Sequence, residues 1–293
     1  MRQPAWKQTL RIRPVRNWLL AAAALAAALA WRLLSPFHVS VLPFTYSAVQ
    51  GSVRIRTQVE GQTRPLEFDT LAAQTTLGRR LYEQLVQEQR GIDRISPSAD
   101  FGLGGCHSQL FYEEIGDAEL HPHTDGILGI DLFTPSRGFD GQNVRLGARL
   151  TLDFKENLLK LEDGPALEPL HLPPGTVQAP LLRDGAGPFY LLLPLNDGAS
   201  YRFLLGIGTR DVILPTGAVL FPAPQGTGYV DARGMVPVTL TMSGQDLTVQ
   251  AMALPRFTPT GILGMNLLAN YRVILDFRNR RLYLEPTNSP SDF

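Results

Sequence analysis

The residue in this sequence best placed to do chemistry is Asp69. It ends the apolar stretch Leu66-Glu67-Phe68 and opens a loop of small and polar residues, Thr70-Leu71-Ala72-Ala73-Gln74-Thr75-Thr76, before the chain turns apolar again at Leu77. A carboxylate so placed must be met by hydrogen bonds, a second carboxyl or water, because burying it alone costs several kcal/mol or forces it to take up a proton. Facing another carboxyl, it would share one proton with its partner, and the pair would supply an acid and a base at once. What stands opposite Asp69 therefore decides what the chain can do.

A second copy of the stretch answers in part. Tyr201 to Leu205 again runs into a tight loop, Gly206-Ile207-Gly208-Thr209-Arg210-Asp211. Aligned on the strand ends, Gly206 stands at the position of Asp69 and Ile207 at that of Thr70. The downstream blocks also return. Gly126-Ile127-Leu128-Gly129-Ile130-Asp131-Leu132-Phe133 reappears as Gly261-Ile262-Leu263-Gly264-Met265-Asn266-Leu267-Leu268, and Leu152 to Glu162 as Leu275 to Glu285. Gly126 follows Asp69 by 57 positions and Gly261 follows Gly206 by 55. Matched blocks in one order at nearly equal spacing indicate a duplicated unit of about 110 residues per copy, too long a period for a solenoid.

The elements that must position these loops read mostly as strands. Val53, Ile55, Thr57 and Val59 alternate with Arg54, Arg56 and Gln58, the period of a half-buried strand. Glu60-Gly61-Gln62 turns the chain, and the strand that delivers Asp69 returns beside it. Gly78 to Gln89 reads as a helix with Leu81, Leu85 and Val86 on one face. Hairpins are expected around Phe101 to Gly105, across Leu150 to Glu162, and at Asn196-Asp197-Gly198.

A strand ending in Asp69-Thr70-Leu71-Ala72, followed by Gly126-Ile127-Leu128-Gly129 and a Leu152-Asp153-Phe154 hairpin, resembles a lobe of the aspartic proteases, especially their bacterial retropepsin-like members. The resemblance covers about residues 51 to 286 and implies a mostly β, bilobal fold of two homologous lobes. In that family each lobe brings an Asp-Thr-Gly loop to a pseudo-twofold site, over a hydrophobic-hydrophobic-Gly strand that Ile127-Leu128-Gly129 and Ile262-Leu263-Gly264 match. The loops depart from the pattern: Asp69-Thr70-Leu71 keeps the acid and the hydroxyl but not the glycine, and Gly206-Ile207-Gly208 keeps only the glycine. The resemblance thus implies Asp69 as the surviving acid, Thr70 as loop support, and Gly206 at the place of the missing acid.

Losing one of two coupled carboxyls removes general acid-base assistance worth roughly 100- to 10,000-fold. The expectation is a catalytically impaired protein that binds an extended polypeptide in the inter-lobe cleft by strand pairing. The alternative is an active aspartic endopeptidase with an altered site, or one completed by dimerisation that sets Asp69 against Asp69 of a second chain. Asp211 is no ready substitute, because its counterpart in the first copy is Gln74 rather than the acid.

Other residues carry weaker signals. Cys106-His107 with His121-Pro122-His123 invites a metal, but the spacing matches no structural zinc site and the histidines read as incidental to a hairpin. Asp125 reads as a turn or supporting acid. Asp131 with Asn266, and Asp153 with Asp276, are matched across the copies and read as turn or capping residues. Arg278, Arg280 and Arg281 read as a solvated hairpin tip. Gly104-Gly105 and Gly226-Thr227-Gly228 lack the strand-loop-helix setting and following Lys of a phosphate loop. No metal and no cofactor is expected.

The chain has 293 residues, with 27 basic against 27 acidic, which gives no electrostatic case for nucleic acid. The basic residues are concentrated at the start: Arg2, Lys7, Arg11, Arg13 and Arg16 precede any acid and lead into the Ala/Leu-rich run from Trp18 to Leu34. That run is expected to be an N-terminal hydrophobic helix that anchors the chain in a membrane, with the globular part extracytoplasmic. Cleavage after Ala28-Leu29-Ala30, leaving a secreted protein, stands as the alternative. The expected organisation is a basic flank (1–17), the apolar segment (18–34), a tether (35–50), a first lobe (51–164), a linker (165–187), a second lobe (188–286) and a tail (287–293). The single cysteine, Cys106, cannot form an internal disulfide.

Overall fold

The computed structural model describes residues 38–88, 97–104, 106–137, 143–145, 147–164, 167–195, 198–216, 218, 234–253 and 259–287. The expected hydrophobic helix over 18–34 lies outside these residues, as do Gly105, Gly226-Thr227-Gly228 and most of the tail. Among the described residues no helix is long and apolar enough to cross a membrane.

In chain order the first half comprises β1 (His38–Ser47), β2 (Ser52–Val59), β3 (Gln62–Phe68), β4 (Thr76–Gly78), the helix α1 (Arg79–Glu88), β5 (Ser98–Leu103), β6 (Cys106–Phe111), β7 (Glu113–Ile115), β8 (Gly126–Leu128), the short pair β9 (Ser136–Arg137) and β10 (Asn143–Arg145), β11 (Arg149–Asp153) and β12 (Leu158–Asp163). The second half adds β13 (Val177–Pro180), β14 (Leu182–Arg183), β15 (Phe189–Pro194), β16 (Ser200–Leu205), β17 (Val212–Ile213), β18 (Met235–Met242), β19 (Gln245–Met252), β20 (Gly261–Leu263), the one-turn helix α2 (Met265–Leu268), β21 (Tyr271–Asp276) and β22 (Arg281–Pro286). The expected helix forms where its apolar spacing put it, with Leu81 and Leu85 buried.

Both halves use the same crossing. In the first, β3 runs parallel to β8, and β8 pairs antiparallel with β4; in the second, β16 runs parallel to β20, and β20 pairs antiparallel with β17. Each half adds a hairpin, β5–β6 and β18–β19. The duplication seen in the sequence is therefore a duplication of fold. The lobes join through a shared layer with strand order β13-β22-β21-β11-β12-β1, in which β11 and β21 pair antiparallel across the midline.

Two expectations about connecting segments need correction. The tether contains β1, which pairs first with β12 and then with β2 and so belongs to the fold from His38 onward. The linker contains β13 and β14, and β13 extends the shared layer beside β22. β1 carries apolar residues on its exposed face, Val39 and Val41, as well as on its covered one, Leu42 and Phe44, and β13 is only four residues long, so neither stands out as an alternating strand.

The core is continuous between lobes. Phe68, immediately before Asp69, meets Phe133 edge to face at 5.5 Å; Phe133 stacks on Phe277 at 6.1 Å, and Phe277 meets Phe189 at 5.4 Å. All four rings are buried, so the aromatic row ties the site strand of the first lobe to the second.

The outer face of the shared layer holds two matched charge clusters. Arg149 lies 3.4 Å from Glu162 and 3.3 Å from Asp276, while Arg272 lies 3.2 Å from both Asp153 and Glu285. Register explains the symmetry: Arg149 pairs with Asp276 and Asp153 with Arg272 across β11 and β21. The two aspartates also cap turns, as expected, for Asp153 accepts from the Lys155 and Glu156 N–H groups and Asp276 from that of Asn279. The expected solvated tip is only partly so. Arg280 and Arg281 are exposed, but Arg278 folds inward to donate to the Gly147 and Gly164 carbonyls.

Candidate functional site

The strand ends of the two crossings meet. Equivalence of the loops follows from hydrogen bonds as well as sequence: the Asp69 N–H donates to the Leu128 carbonyl at 3.2 Å and the Gly206 N–H to that of Leu263 at 3.0 Å. Ile130 N–H donates to Ala72 O at 3.0 Å and Met265 N–H to Thr209 O at 2.8 Å. Asp131 and Asn266 play one part twice, accepting from the Thr75 and Val212 N–H groups and so holding the segment that leaves each loop. Burial raises the Asp131 carboxyl above its ordinary range, and the two Thr75 bonds pull it back.

Thr70 fastens the loops together. Its buried hydroxyl donates to the Leu205 carbonyl at 2.6 Å and accepts the Ile207 N–H at 2.8 Å, while its own N–H donates to the Ile207 carbonyl at 3.1 Å. Ile207, at the equivalent position, has no hydroxyl to return the contact. One side chain therefore carries a docking that two threonines could share. Thr70→Val should leave the Ile207 N–H without its partner in a buried place and cost about 2–3 kcal/mol. Thr70→Ser should lose far less, and urea unfolding of both variants would check this; equal stabilities would rule out the hydroxyl as the fastener.

Opposite Asp69 stands backbone rather than a second acid. A Cβ added to Gly208, which has φ +102°, would lie 3.2 Å from the Asp69 Cγ and 3.3 Å from its Oδ1, so the carboxyl rests on the Gly208 main chain. At Gly206 an added Cβ would overlap the Cγ2 of Ile262, so the space an acid would need there is filled by that side chain. Asp211 sits further along: its carbonyl packs beneath Gly264, as that of Gln74 packs beneath Gly129. Leu71 replaces a glycine without strain, since it is not among the non-glycine residues with positive φ, and its N–H donates to Asp69 Oδ1 at 2.8 Å.

Asp69 is partly buried. Burial pushes its carboxyl up to about 6, against the pull of the Leu71 N–H. A second acid lies nearby on the same strand. Strand alternation sets Glu67 on the same face as Asp69, with Leu66 and Phe68 on the other. Glu67 is only 6% exposed, pairs in register with Arg54, and has His121 Nε2 at 3.5 Å from its Oε1. Burial first, then the charge of Asp69, push Glu67 up to about 7, and Arg54 opposes them. The two carboxyls are coupled, because the charge of Asp69 helps hold Glu67 up. Sequence reading passed over Glu67, although its place two residues before Asp69 in a strand was a usable signal.

The remaining candidates are scattered. Cys106 is buried, its Sγ 3.9 Å from the Leu132 carbonyl, and His107 lies 3.7 Å from Asp100. His121 and His123 line a cavity of about 560 Å³ with Arg64, Arg80 and Asp125. Asp125 sits 3.8 Å from Arg64, and its backbone continues the pairing of β8, donating to the Pro65 carbonyl of β3 and accepting from the Gly78 N–H of β4. Among the described residues no three His, Cys, Asp or Glu side chains come together as a metal site.

No family model matches the sequence, and no curated protein does. Among solved structures, the crystal structure of an aspartic proteinase from Irpex lacteus matches 85% of this chain and 98% of its own, with a TM-score of 0.52 at 12% identity. The fold is that of an aspartic proteinase. In this fold the two loops meet, and the Asp69 carboxyl of one rests on Gly208 of the other.

Proposed function

We propose that this chain is a membrane-anchored, catalytically impaired relative of the aspartic proteases that binds an extended polypeptide in the cleft between its lobes. The observation that supports it most is the packing opposite Asp69, where Gly208 and the Ile262 methyl occupy the place a second acid would take. Without that acid no proton is shared across the junction, and a water held by Asp69 lacks its second orienting group. Strand ends and main chain at the junction would still pair with an extended ligand.

One observation favours a second reading, an active endopeptidase with an altered site. Glu67 is a buried carboxyl on the same face as Asp69, held up by burial and by the Asp69 charge, and could hold the proton that the opposite loop no longer supplies. Cleavage of an unfolded protein substrate between pH 4 and 8 tests both, with Asp69→Asn and Glu67→Gln beside the unaltered chain. The expected result is no cleavage above background in any of them, with peptide binding retained by the unaltered chain. Cleavage lost in both variants would establish the altered site instead.

A further inference from the structure

Resting on the anchored reading above, we infer that the outer face of the shared sheet lies against the lipid surface, so that the cleft points away from the membrane. The argument begins with reach. Only Ser35-Pro36-Phe37 separate the apolar run ending at Leu34 from His38, the first residue of β1. Four residue steps span at most about 14 Å. If residues 18–34 occupy the bilayer, the start of β1 lies in or just above the headgroups.

The side chains at that end suit such a place. Val39 and Val41 are 39% and 46% exposed. They pair in register with Glu162 and Lys160 of β12, so all four share one face. Leu172, 37% exposed, belongs to the segment that roofs the same face and lines a cavity there with Lys160, Glu162 and Thr151. Among the described residues six large apolar side chains are exposed, and three of the six are these. The charges on the face are largely paired with one another, Arg149 with Glu162 and Asp276, and Lys160 with Glu168. Contact with lipid would therefore be apolar and would not need an anionic surface.

The cleft lies beyond the core, on the other side of the shared sheet: Phe277, which follows Asp276, stacks on Phe133, and Phe133 meets Phe68, the residue before Asp69. The turn after β1 is on that side as well, where Gly51 packs against the Arg210 backbone of the second loop. Bound this way, the site takes a polypeptide from the aqueous side rather than a segment lying in the headgroups.

The test uses the full-length chain in liposomes of zwitterionic lipid. Cysteine is introduced as Val41→Cys or, at the far turn where Val49 is 78% exposed, as Val49→Cys. The native Cys106 is buried and stays in place. Each variant carries a fluorescent thiol label, and quenching is measured with lipids bearing a nitroxide near the headgroup. Several-fold stronger quenching at position 41 than at position 49 is expected. Equal or reversed quenching in a chain that stays with the liposomes after an alkaline wash would overturn the orientation. A chain that washes off would overturn the anchor, and the orientation with it.

Discussion

Arg149→Ala should destabilise the protein by about 3–5 kcal/mol, lowering Tm by roughly 10 °C or more for a chain of this size. Arg149 is 4% exposed and stands between Glu162 and Asp276, at 2% and 1%. Its side chain also donates to the Glu168 carbonyl at 2.7 Å, pinning the segment that roofs the shared sheet. Removing the cation leaves two nearly buried carboxylates without the partner they share. Glu162 Oε1 already has no hydrogen-bond partner, so it has nothing to fall back on. Asp276 keeps both bonds from Asn279 and suffers less.

The size of the loss reflects breaking a pair, not the worth of the pair. Bringing three charged groups into a buried place costs nearly as much as their attraction returns, so removing the cluster as a unit should be tolerated. Arg149→Met combined with Glu162→Leu should therefore recover most of what Arg149→Ala loses. Thermal and urea unfolding of the single and double variants measures this. A single variant within about 2 °C of the unaltered chain would mean the cluster is solvated enough to screen it.

That cluster also marks how far the sequence could be read. The repeat was legible where it carries apolar blocks, because Gly126 to Phe133 and Gly261 to Leu268 must fill the same space under the same loops. It extends further than those blocks showed, since Arg149-Leu150-Thr151-Leu152-Asp153 and Arg272-Val273-Ile274-Leu275-Asp276 share an arginine four residues before the aspartate. Spacing alone could not say that each arginine would serve the aspartate of the other copy. That depends on β11 and β21 lying antiparallel across the midline, a contact between residues more than a hundred positions apart. The strand β1 was hidden for a different reason: its exposed face carries Val39 and Val41 while its covered face carries Leu42 and Phe44, so apolar residues fall on both faces and the sequence shows no polar-apolar period. Asp69 and Thr70 were legible as an acid and a hydroxyl at the end of one strand, but not the bonds by which Thr70 reaches Leu205 and Ile207 of the other loop. The filling of the opposite position by Ile262 was not, because it is a matter of side-chain packing across a crossing.

Asp69→Asn should stabilise the protein at pH 8 by an amount on the order of 2–3 kcal/mol and leave it nearly unchanged at pH 4. The sign follows from where the proton sits. The Asp69 carboxyl has an ordinary value of 3.8 and is pushed up to about 6 in the fold. Between those values the folded chain binds a proton that the unfolded chain does not. Its contribution to stability is therefore present below pH 4 and is lost as pH rises through about 6. Glu67 adds a second loss in the same direction between 4.5 and about 7, part of which exists only because Asp69 is charged. The two losses are not additive. Asparagine keeps the acceptor for the Leu71 N–H, removes the charge from the recess, and lowers the Glu67 midpoint at the same time.

Stability measured in urea from pH 4.5 to 8 should thus fall with pH in the unaltered chain and be flatter in Asp69→Asn. Glu67→Gln should flatten only the upper part of the curve. Parallel curves in all three would show that the recess is wet and the carboxyl ordinary. If the flattening is seen, Asp69 is a charge held at a cost in a place that offers it one backbone N–H and a glycine. Such a cost suits a group that meets a ligand, as the proposed function requires. The same variant that stabilises the fold should then weaken peptide binding, and that opposed pair of effects separates a working acid from a leftover one.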